Sequence, residues 1–311
     1  MIKPLSPSAC RFLPAGDYDL AMTLNCGQAF RWRQGADGRW EGVVAGRWVQ
    51  LSKVGKCIEA KTATPQRNWD WLDGYLQTGV DLDSILRTFP KDSPMQQAVK
   101  ACRGLRLLRQ EPWECLASFI LSATKQIVQI QQIIECICAR WGQKVEVPPG
   151  YKPAYSFPTP EVLAGCTEAD LRECKMGFRA KHLHKTALMV VNGQLDLAGV
   201  NRVPLEEARA LLQTAPGVGP KIADCVLLFA YGFAQAFPVD VWVQRALCEL
   251  YFQGRKIPKS KLRLFAFEHF GPNAGYAQQY LFHYMRMAKK RLGEIDVRSQ
   301  NVARQRVKTG N

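Results

Sequence analysis

The first part of the chain alternates between apolar and polar residues in short stretches. The alternation covers residues 29–33, 40–44 and 47–51, and glycine-rich turns such as Ala45-Gly46 separate the stretches. A period of two predicts strands, and short glycine turns connect antiparallel neighbours. We therefore predict an N-terminal antiparallel sheet with one apolar face that helices or another module must cover.

From about residue 68 the apolar residues recur at steps of three and four, which predicts helices. Ser93-Pro94 predicts an N-cap with proline in the first turn, opening a helix that reaches Cys102. A longer apolar stripe over 114–140 predicts one or two helices, with the polar patch at 122–126 as their boundary. The second part of the chain is therefore predicted to be mostly helical.

Two later helical stretches, 206–213 and 221–230, flank a turn that contains Gly217-Val218-Gly219. Glycine lets a backbone turn sharply and approach a ligand closely. The amides of Val218 and Gly219, with the positive end of the second helix, are expected to point outward and to bind phosphate. This arrangement predicts a helix-hairpin-helix that holds the DNA backbone without reading sequence.

Composition narrows the class of partner. The 311 residues are 47% hydrophobic and 22% charged, which is typical of a globular protein of two or three packed modules. Forty-two Lys and Arg against 27 Asp and Glu leave a net charge of +15, which favours a polyanion, nucleic acid before membrane. The apolar stretches are too short to span a bilayer, so no membrane association is expected. No secretory signal is predicted either.

The eleven cysteines include no C-x-x-C pair, and no Cys/His set has zinc-finger spacing. We predict no metal site and mostly reduced thiols in an intracellular protein, cytoplasmic in a bacterium and nuclear in a eukaryote. His182, His184, Cys166 and Cys174 form only a weak metal-binding candidate.

Two residues beside the hairpin carry candidate chemistry. Lys221 is in the first turn of the second helix, where the helix dipole disfavours the ammonium form and favours an uncharged, nucleophilic amine. Asp240 lies in the short apolar run 237–241, where a carboxylate is costly unless it is paired or used. The alternative for Lys221 is a lysine that only contacts phosphate.

Five separated motifs carry a family resemblance. They are Gly27-Gln28-Ala29-Phe30-Arg31-Trp32, the helical segments 104–110 and 114–120, the hairpin segment 216–225, Pro238-Val239-Asp240-Val241, and Gly275-Tyr276-Ala277-Gln278. In this order they resemble the helix-hairpin-helix, Gly/Pro-Asp superfamily of base-excision DNA glycosylases. Within it, the chain is most similar to the 8-oxoguanine DNA glycosylase/AP lyase branch.

The resemblance implies an α+β fold, an N-terminal antiparallel β-sheet packed on a mostly α-helical glycosylase region. The expected division is a β domain with flanking helices at 1–100, a helical catalytic domain at 101–285 with the hairpin at about 214–221, and a basic C-terminal helix end and tail at 286–311. The expected partner is double-stranded damaged DNA, bound by a monomer. No cofactor is required, although such hairpins often hold a monovalent cation through backbone carbonyls.

The resemblance also implies a reaction. Lys221 would attack the sugar C1′ of the damaged nucleotide, the base would leave, and β-elimination from the resulting Schiff base would nick the strand. Asp240 would stabilise positive charge on the sugar and orient the lysine. The implied base pocket consists of Gly27, Cys225, Gln278 and Phe282. Gly27 would offer its carbonyl to the N7 hydrogen of 8-oxoguanine, and Gln278 would meet the Watson–Crick edge.

The chain departs from the family at several DNA contacts. Thr124 or Gln126 would have to fill the space of the extruded base, where the family has asparagines. Gln129 replaces an arginine that contacts the orphaned cytosine, and Trp242 replaces a histidine that contacts phosphate. Because of these changes we expect a relaxed preference for cytosine opposite the lesion.

Two of the family's DNA contacts have counterparts after the central helices. Arg179 keeps the second arginine for the orphaned base, and Phe178 is the candidate wedge. Two alternatives stay open: a glycosylase of the same fold for another damaged base, and a non-catalytic hairpin module that only binds DNA. Lys221 speaks against the binding-only alternative.

Overall fold

A computed structural model describes residues 7–123 and 125–288, and it begins with an antiparallel sheet. Its strands are β1 (Ser8–Pro14), β2 (Arg33–Gln34), β3 (Trp40–Val44), β4 (Arg47–Val54) and β5 (Cys57–Gln66). These five strands pair in the order β1-β5-β4-β3-β2. Two short strands further along the chain, β6 (Lys144–Val145) and β7 (Ala154–Tyr155), form a second sheet.

Helices dominate the rest of the described chain. They are α1 (Leu20–Asn25), α2 (Asp70–Leu76), α3 (Leu82–Arg87), α4 (Ser93–Cys102), α5 (Pro112–Ser122), α6 (Ile127–Trp141), α7 (Pro160–Ala164), α8 (Glu168–Leu171), α9 (Arg179–Val191), α10 (Leu205–Gln213), α11 (Pro220–Val226), α12 (Val241–Tyr251), α13 (Lys259–Phe270) and α14 (274–288). The α+β fold predicted from the sequence is confirmed. No helix in the described ranges is long and apolar enough to cross a bilayer.

The strand predictions are confirmed in part. Stretches 40–44 and 47–51 are paired strands joined by a tight turn, in which Ala45 and Gly46 both have positive φ. The strand prediction for 29–33 is wrong except at Arg33, where β2 begins. Residues 29–32 are irregular, and their apolar side chains are buried in the core. Strand β5 was not predicted from the sequence, because its buried side chains are mostly small and produce only a weak alternation of apolar and polar residues.

The helix predictions hold with one shifted cap. The polar patch at 122–126 does separate α5 from α6. Helix α4 is capped by Asp92 rather than by Ser93, because the Asp92 carboxylate accepts a hydrogen bond from the amide of Met95 at 2.8 Å. A carboxylate at this position also complements the helix dipole, which strengthens the cap.

Gln28 joins the N-terminal segment to the helical region. Its buried side-chain amide donates to the carbonyls of Thr23 at 2.9 Å and Arg106 at 2.8 Å, and its Oε1 accepts from the amide of Leu108 at 2.8 Å. A buried amide with all three bonds made is a rigid link. The link fixes the preceding residue, Gly27, against the helical core.

Candidate active site

The hairpin turn between α10 and α11 uses its two glycines differently. Gly217 has φ +78°, and a Cβ built there would lie 2.3 Å from Nδ1 of His182, so this glycine allows the turn to pack on α9. Gly219 precedes α11 with an extended backbone, and the space beside its α-carbon is open to within 4 Å. Only Gly219 therefore presents a bare backbone to an approaching ligand.

The expectation that the Val218 amide points outward is wrong. That amide donates to the carbonyl of Ala215 at 3.1 Å inside the turn, and the Val218 side chain is buried. The turn closes on itself because a buried amide must be paired. Val218 thus anchors the hairpin in the core, and the open backbone of the turn lies at Gly219, before the first turn of α11.

Lys221 and Asp240 meet at one pocket. Lys221 is half-buried near the start of α11, with its Nζ 5.1 Å from the ring centre of Phe119 on α5. Asp240 is half-buried directly before α12 and caps that helix, with its Oδ1 accepting from the amide of Val243 at 2.7 Å. Helix packing and capping therefore hold both groups at the same opening.

The pocket, together with the solvent-open space at its mouth, has a volume of about 310 Å³. The two catalytic candidates and all four predicted base-pocket residues line it together. Sequence reasoning missed the other lining residues, although Phe119 lies inside one of the quoted motifs. The complete lining is Gly27, Phe119, Lys221, Cys225, Phe229, Pro238, Asp240, Gln278, Gln279 and Phe282.

At one wall of the pocket, backbone conformation and close neighbours disfavour a side chain at Gly27. Its φ is +85°, and a Cβ built there would lie 3.2 Å from Ile127 and 3.7 Å from Phe282. The backbone itself therefore faces the pocket. On another wall, burial raises the pKa of the Cys225 thiol to about 12, although the nearby charge of Lys221 lowers it. The thiol is neutral at physiological pH and offers a polarisable contact surface.

Gln278 is buried, and its Oε1 has no hydrogen-bond partner among residues 7–123 and 125–288. An unpaired buried acceptor costs about 1–3 kcal/mol. Its neighbour Gln279 is equally buried, but it donates to the carbonyl of Cys26 at 3.1 Å. The described residues therefore leave the acceptor of Gln278 unused, whereas Gln279 links its helix to the N-terminal segment.

The candidate wedge and its neighbour differ in exposure. The Phe178 ring is 55% exposed just before α9, as a side chain that enters DNA must be. Arg179 is 3% exposed, with its guanidinium 4.5 Å from the Phe178 ring centre and donating to the carbonyls of Met176 and Ala123. Burial lowers the pKa of Arg179. In this arrangement Arg179 supports the wedge from below.

The other predicted DNA contacts lie near the start of α6 and in α12. The amide of Gln126 donates to Oε1 of Gln129 at 3.1 Å, so Gln129 caps α6. Trp242 is 37% exposed, with the Arg245 guanidinium 5.8 Å from its ring centre. Thr124 lies outside the described residues. Within those residues, no group of three or more His, Cys, Asp or Glu side chains is placed to hold a metal ion.

A hairpin beside a pocket that is lined by a lysine, a carboxylate and a buried amide is the arrangement that the motifs of the helix-hairpin-helix DNA glycosylases predict. Two family models match the chain. Residues 12–116 match the N-terminal domain of 8-oxoguanine DNA glycosylase, and residues 117–270 match the HhH-GPD superfamily of base excision DNA repair proteins.

Similar proteins align along most of the chain. A probable N-glycosylase/DNA lyase of Methanothermobacter thermautotrophicus is 30% identical over 88% of this chain and 95% of its own length. The N-glycosylase/DNA lyase of Arabidopsis thaliana is 31% identical over 85% of this chain and 76% of its own length. The 8-oxoguanine glycosylase/lyase of Clostridium acetobutylicum, solved with double-stranded DNA, is 32% identical, with a TM-score of 0.85 over 92% of this chain and all of that one.

The chain therefore belongs to the 8-oxoguanine DNA glycosylase/lyase family of the HhH-GPD superfamily. The family predicted from the sequence motifs is confirmed. The roles of the individual site residues stay predictions from the resemblance, and the structure brings these residues together at one pocket.

Proposed function

We propose that this protein excises 8-oxoguanine from double-stranded DNA and then cuts the strand at the abasic site. One observation carries the proposal. Lys221, Asp240, Gly27, Cys225, Gln278 and Phe282, which are far apart in sequence, line a single pocket beside the hairpin. A damaged base must leave the stack to reach such a pocket.

Lys221 supplies the nucleophile. Its nitrogen lone pair forms a bond to C1′ of the extruded nucleotide while the C1′–N9 bond breaks, and the electron pair leaves with the base. Loss of the amine proton and ring opening give a Schiff base, which acidifies the C2′ hydrogens and permits β-elimination of the 3′ phosphate. A water nucleophile forms no such adduct, so the lysine links base excision to strand cleavage.

Asp240 supplies negative charge to the same reaction. One carboxylate oxygen is held by the cap of α12, which fixes the orientation of the group. The charge stabilises the oxocarbenium-like sugar as the base departs. Because the cap costs no reorganisation during the reaction, the carboxylate is preorganised.

The pocket distinguishes an oxidised purine through its polar groups. The carbonyl of Gly27 accepts the N7 hydrogen that 8-oxoguanine has and guanine lacks. The unpaired Oε1 of Gln278 accepts from the Watson–Crick edge of the purine. Phe282 and the neutral Cys225 enclose the two ring faces. A site that hydrogen-bonds a substrate N–H rejects the analogue without it.

The DNA backbone is held mainly by charge and by the hairpin. The net charge of +15 favours phosphate contacts, so binding should weaken with salt. Gly219 and the first turn of α11 face one phosphate, and Phe178 enters the duplex.

The chain works as a monomer wherever the cell keeps its DNA, and it requires no cofactor. A monovalent cation bound by the backbone carbonyls of the hairpin would strengthen the binding of the hairpin to phosphate.

We also propose a relaxed preference for the base opposite the lesion. Gln129 caps α6, and Arg179 is engaged with the carbonyl of Ala123, so neither side chain is poised to read cytosine. Duplexes with C, T, G or A opposite 8-oxoguanine should be cut at rates within about tenfold of one another, since no paired contact is lost. Strict cutting opposite C alone would refute this part.

The excision activity is tested with duplexes that carry one defined lesion each. The proposal expects 8-oxoguanine to be released and the strand to be nicked, whereas undamaged guanine stays in place. Lys221→Gln should abolish the nick. Lys259→Gln, a change in the first turn of α13, is the matched control and should leave it intact. Faster release of an alkylated base would favour the alternative lesion class.

A further inference from the structure

Two thiols meet away from the pocket. Cys136 is half-buried on α6, and Cys174 is buried in the irregular turn Arg172–Met176 that leads towards Phe178. Their Sγ atoms are 3.0 Å apart, and both cysteines are free thiols. A disulfide has an S–S length of about 2.05 Å, so the two sulfurs need to approach by only about 1 Å.

We propose that Cys136 and Cys174 form a reversible disulfide when the protein meets hydrogen peroxide. The sulfur of Cys136 attacks one peroxide oxygen, the O–O bond breaks, and the product is a sulfenic acid and water. The sulfur of Cys174 then attacks the Cys136 sulfur, and the hydroxyl leaves with the Cys174 proton as a second water. Two thiols are oxidised and one peroxide is reduced.

The order of the two steps follows from the surroundings of each thiol. Burial raises the pKa of Cys174 to about 12, and contact with Cys136 adds to the rise, whereas the guanidinium of Arg140 opposes it. Cys174 is therefore a poor first target for an oxidant. Cys136 is the more accessible of the two thiols, so it is oxidised first and Cys174 resolves it.

The bond would tie α6 to the turn that presents the wedge. Inside this turn Lys175 has φ +60°, a conformation that a lysine adopts only when its surroundings hold it there. Phe178 follows within a few residues, and its ring lies 5.7 Å from that of His182, the residue that packs on Gly217. The disulfide would therefore fix the turn and its connection to the hairpin.

The biological use of this disulfide rests on the proposed function, because an enzyme for an oxidised base works where oxidants reach DNA. The formation of the disulfide is independent of that function, since it requires neither Lys221 nor DNA. A failure of the disulfide proposal is therefore distinct from a failure of the glycosylase proposal.

The test uses the full chain, treated with hydrogen peroxide, alkylated to block remaining thiols and mapped by peptide mass spectrometry. We expect a Cys136–Cys174 cross-link to form before any other cysteine pair, and dithiothreitol to reverse it. Closing the loop between these positions should raise Tm by roughly 5 °C, since the structure already places the sulfurs in contact.

Variants separate the outcomes. Cys136→Ser should lose both the cross-link and the rise in Tm. Cys174→Ala should independently lose the same two effects. Cys57→Ser, at another half-buried cysteine, should keep both. Overoxidation of Cys136 to a sulfinic acid without a cross-link would overturn the proposal, as would a cross-linked protein that melts no higher than the reduced one.

Discussion

The carboxylate of Asp240 accepts a 2.7 Å hydrogen bond from the amide of Val243, so the proposed electrostatic catalyst is also the N-cap of α12. The two roles use different properties of the group. Capping needs a side-chain oxygen, which Asn also supplies, whereas stabilising a cationic sugar needs charge. The roles can therefore be separated by substitution.

Asp240→Asn should keep the cap and lose the charge. We expect excision to fall by about 100-fold or more while Tm changes little. Asp240→Ala loses both, and should cost about 1 kcal/mol of stability besides the activity. Single-turnover excision and thermal melting of the two variants separate the effects. An Asn variant with nearly full activity would remove the carboxylate from the mechanism.

Gln278 and Gln279 should respond in opposite ways to the same change. Gln278→Leu removes an acceptor that the described residues leave unpaired, so stability should hold or rise by about 1 kcal/mol while excision falls. Gln279→Leu deprives the Cys26 carbonyl of its donor, and should lower stability by about 1 kcal/mol. Denaturant unfolding measures the stability of each variant, and an excision assay measures its activity. Equal destabilisation by the two changes would argue against a ligand-facing Gln278.

The two hairpin glycines should also differ. Gly217→Ala places a Cβ 2.3 Å from His182 in a left-handed backbone, so it should destabilise the protein and weaken DNA binding. Removing the obstructing ring in Gly217→Ala/His182→Ala should recover part of the loss. Gly219→Ala is open on the protein side and should weaken DNA binding alone. Melting and salt-dependent DNA affinity measure the two effects, and a stable Gly217→Ala protein would contradict the packing account.

His283 should make stability depend on pH. Burial, with a smaller contribution from the charge of the nearby Arg286, lowers the pKa of His283 to about 4. The unfolded chain, with a histidine pKa near 6.5, binds the proton first as pH falls, so stability declines from about pH 6.5 to pH 4. The decline due to this group is at most about 3 kcal/mol. His283→Gln should flatten the curve relative to the wild type between these limits, and parallel curves would contradict the assignment.

The sequence predicted those site features that are local along the chain. Lys221 and Asp240 stand out because each is an unfavourable residue in its own segment, and a charge in the wrong place can be recognised without coordinates. The base pocket came from the resemblance alone. Phe229 was not predicted as a lining residue because its place at the pocket depends on the stacking of its ring on Phe119 of α5, a contact distant in sequence.

The failures of prediction came from hydrogen bonds that the pattern of residue types does not reveal. The amide of Val218 turned inward because its acceptor, Ala215, lies across the turn, which alternation and spacing do not reveal. Residues 29–32 alternate as a strand does, yet Arg31 donates to the carbonyl of Tyr155 and the Trp32 indole donates to the hydroxyl of Tyr75, both far along the chain. Local pattern therefore located the elements, and tertiary hydrogen bonds decided which of them became strands.

Covalent trapping tests the central claim, that the amine of Lys221 becomes bonded to the sugar of the damaged nucleotide. Borohydride reduces a Schiff base to a stable amine, so incubation with a duplex containing 8-oxoguanine should leave the protein cross-linked to DNA. We expect this adduct for the wild type and for Lys259→Gln, and none for Lys221→Gln. Release of 8-oxoguanine by a wild type that gives no adduct, or an undiminished adduct with Lys221→Gln, would contradict it.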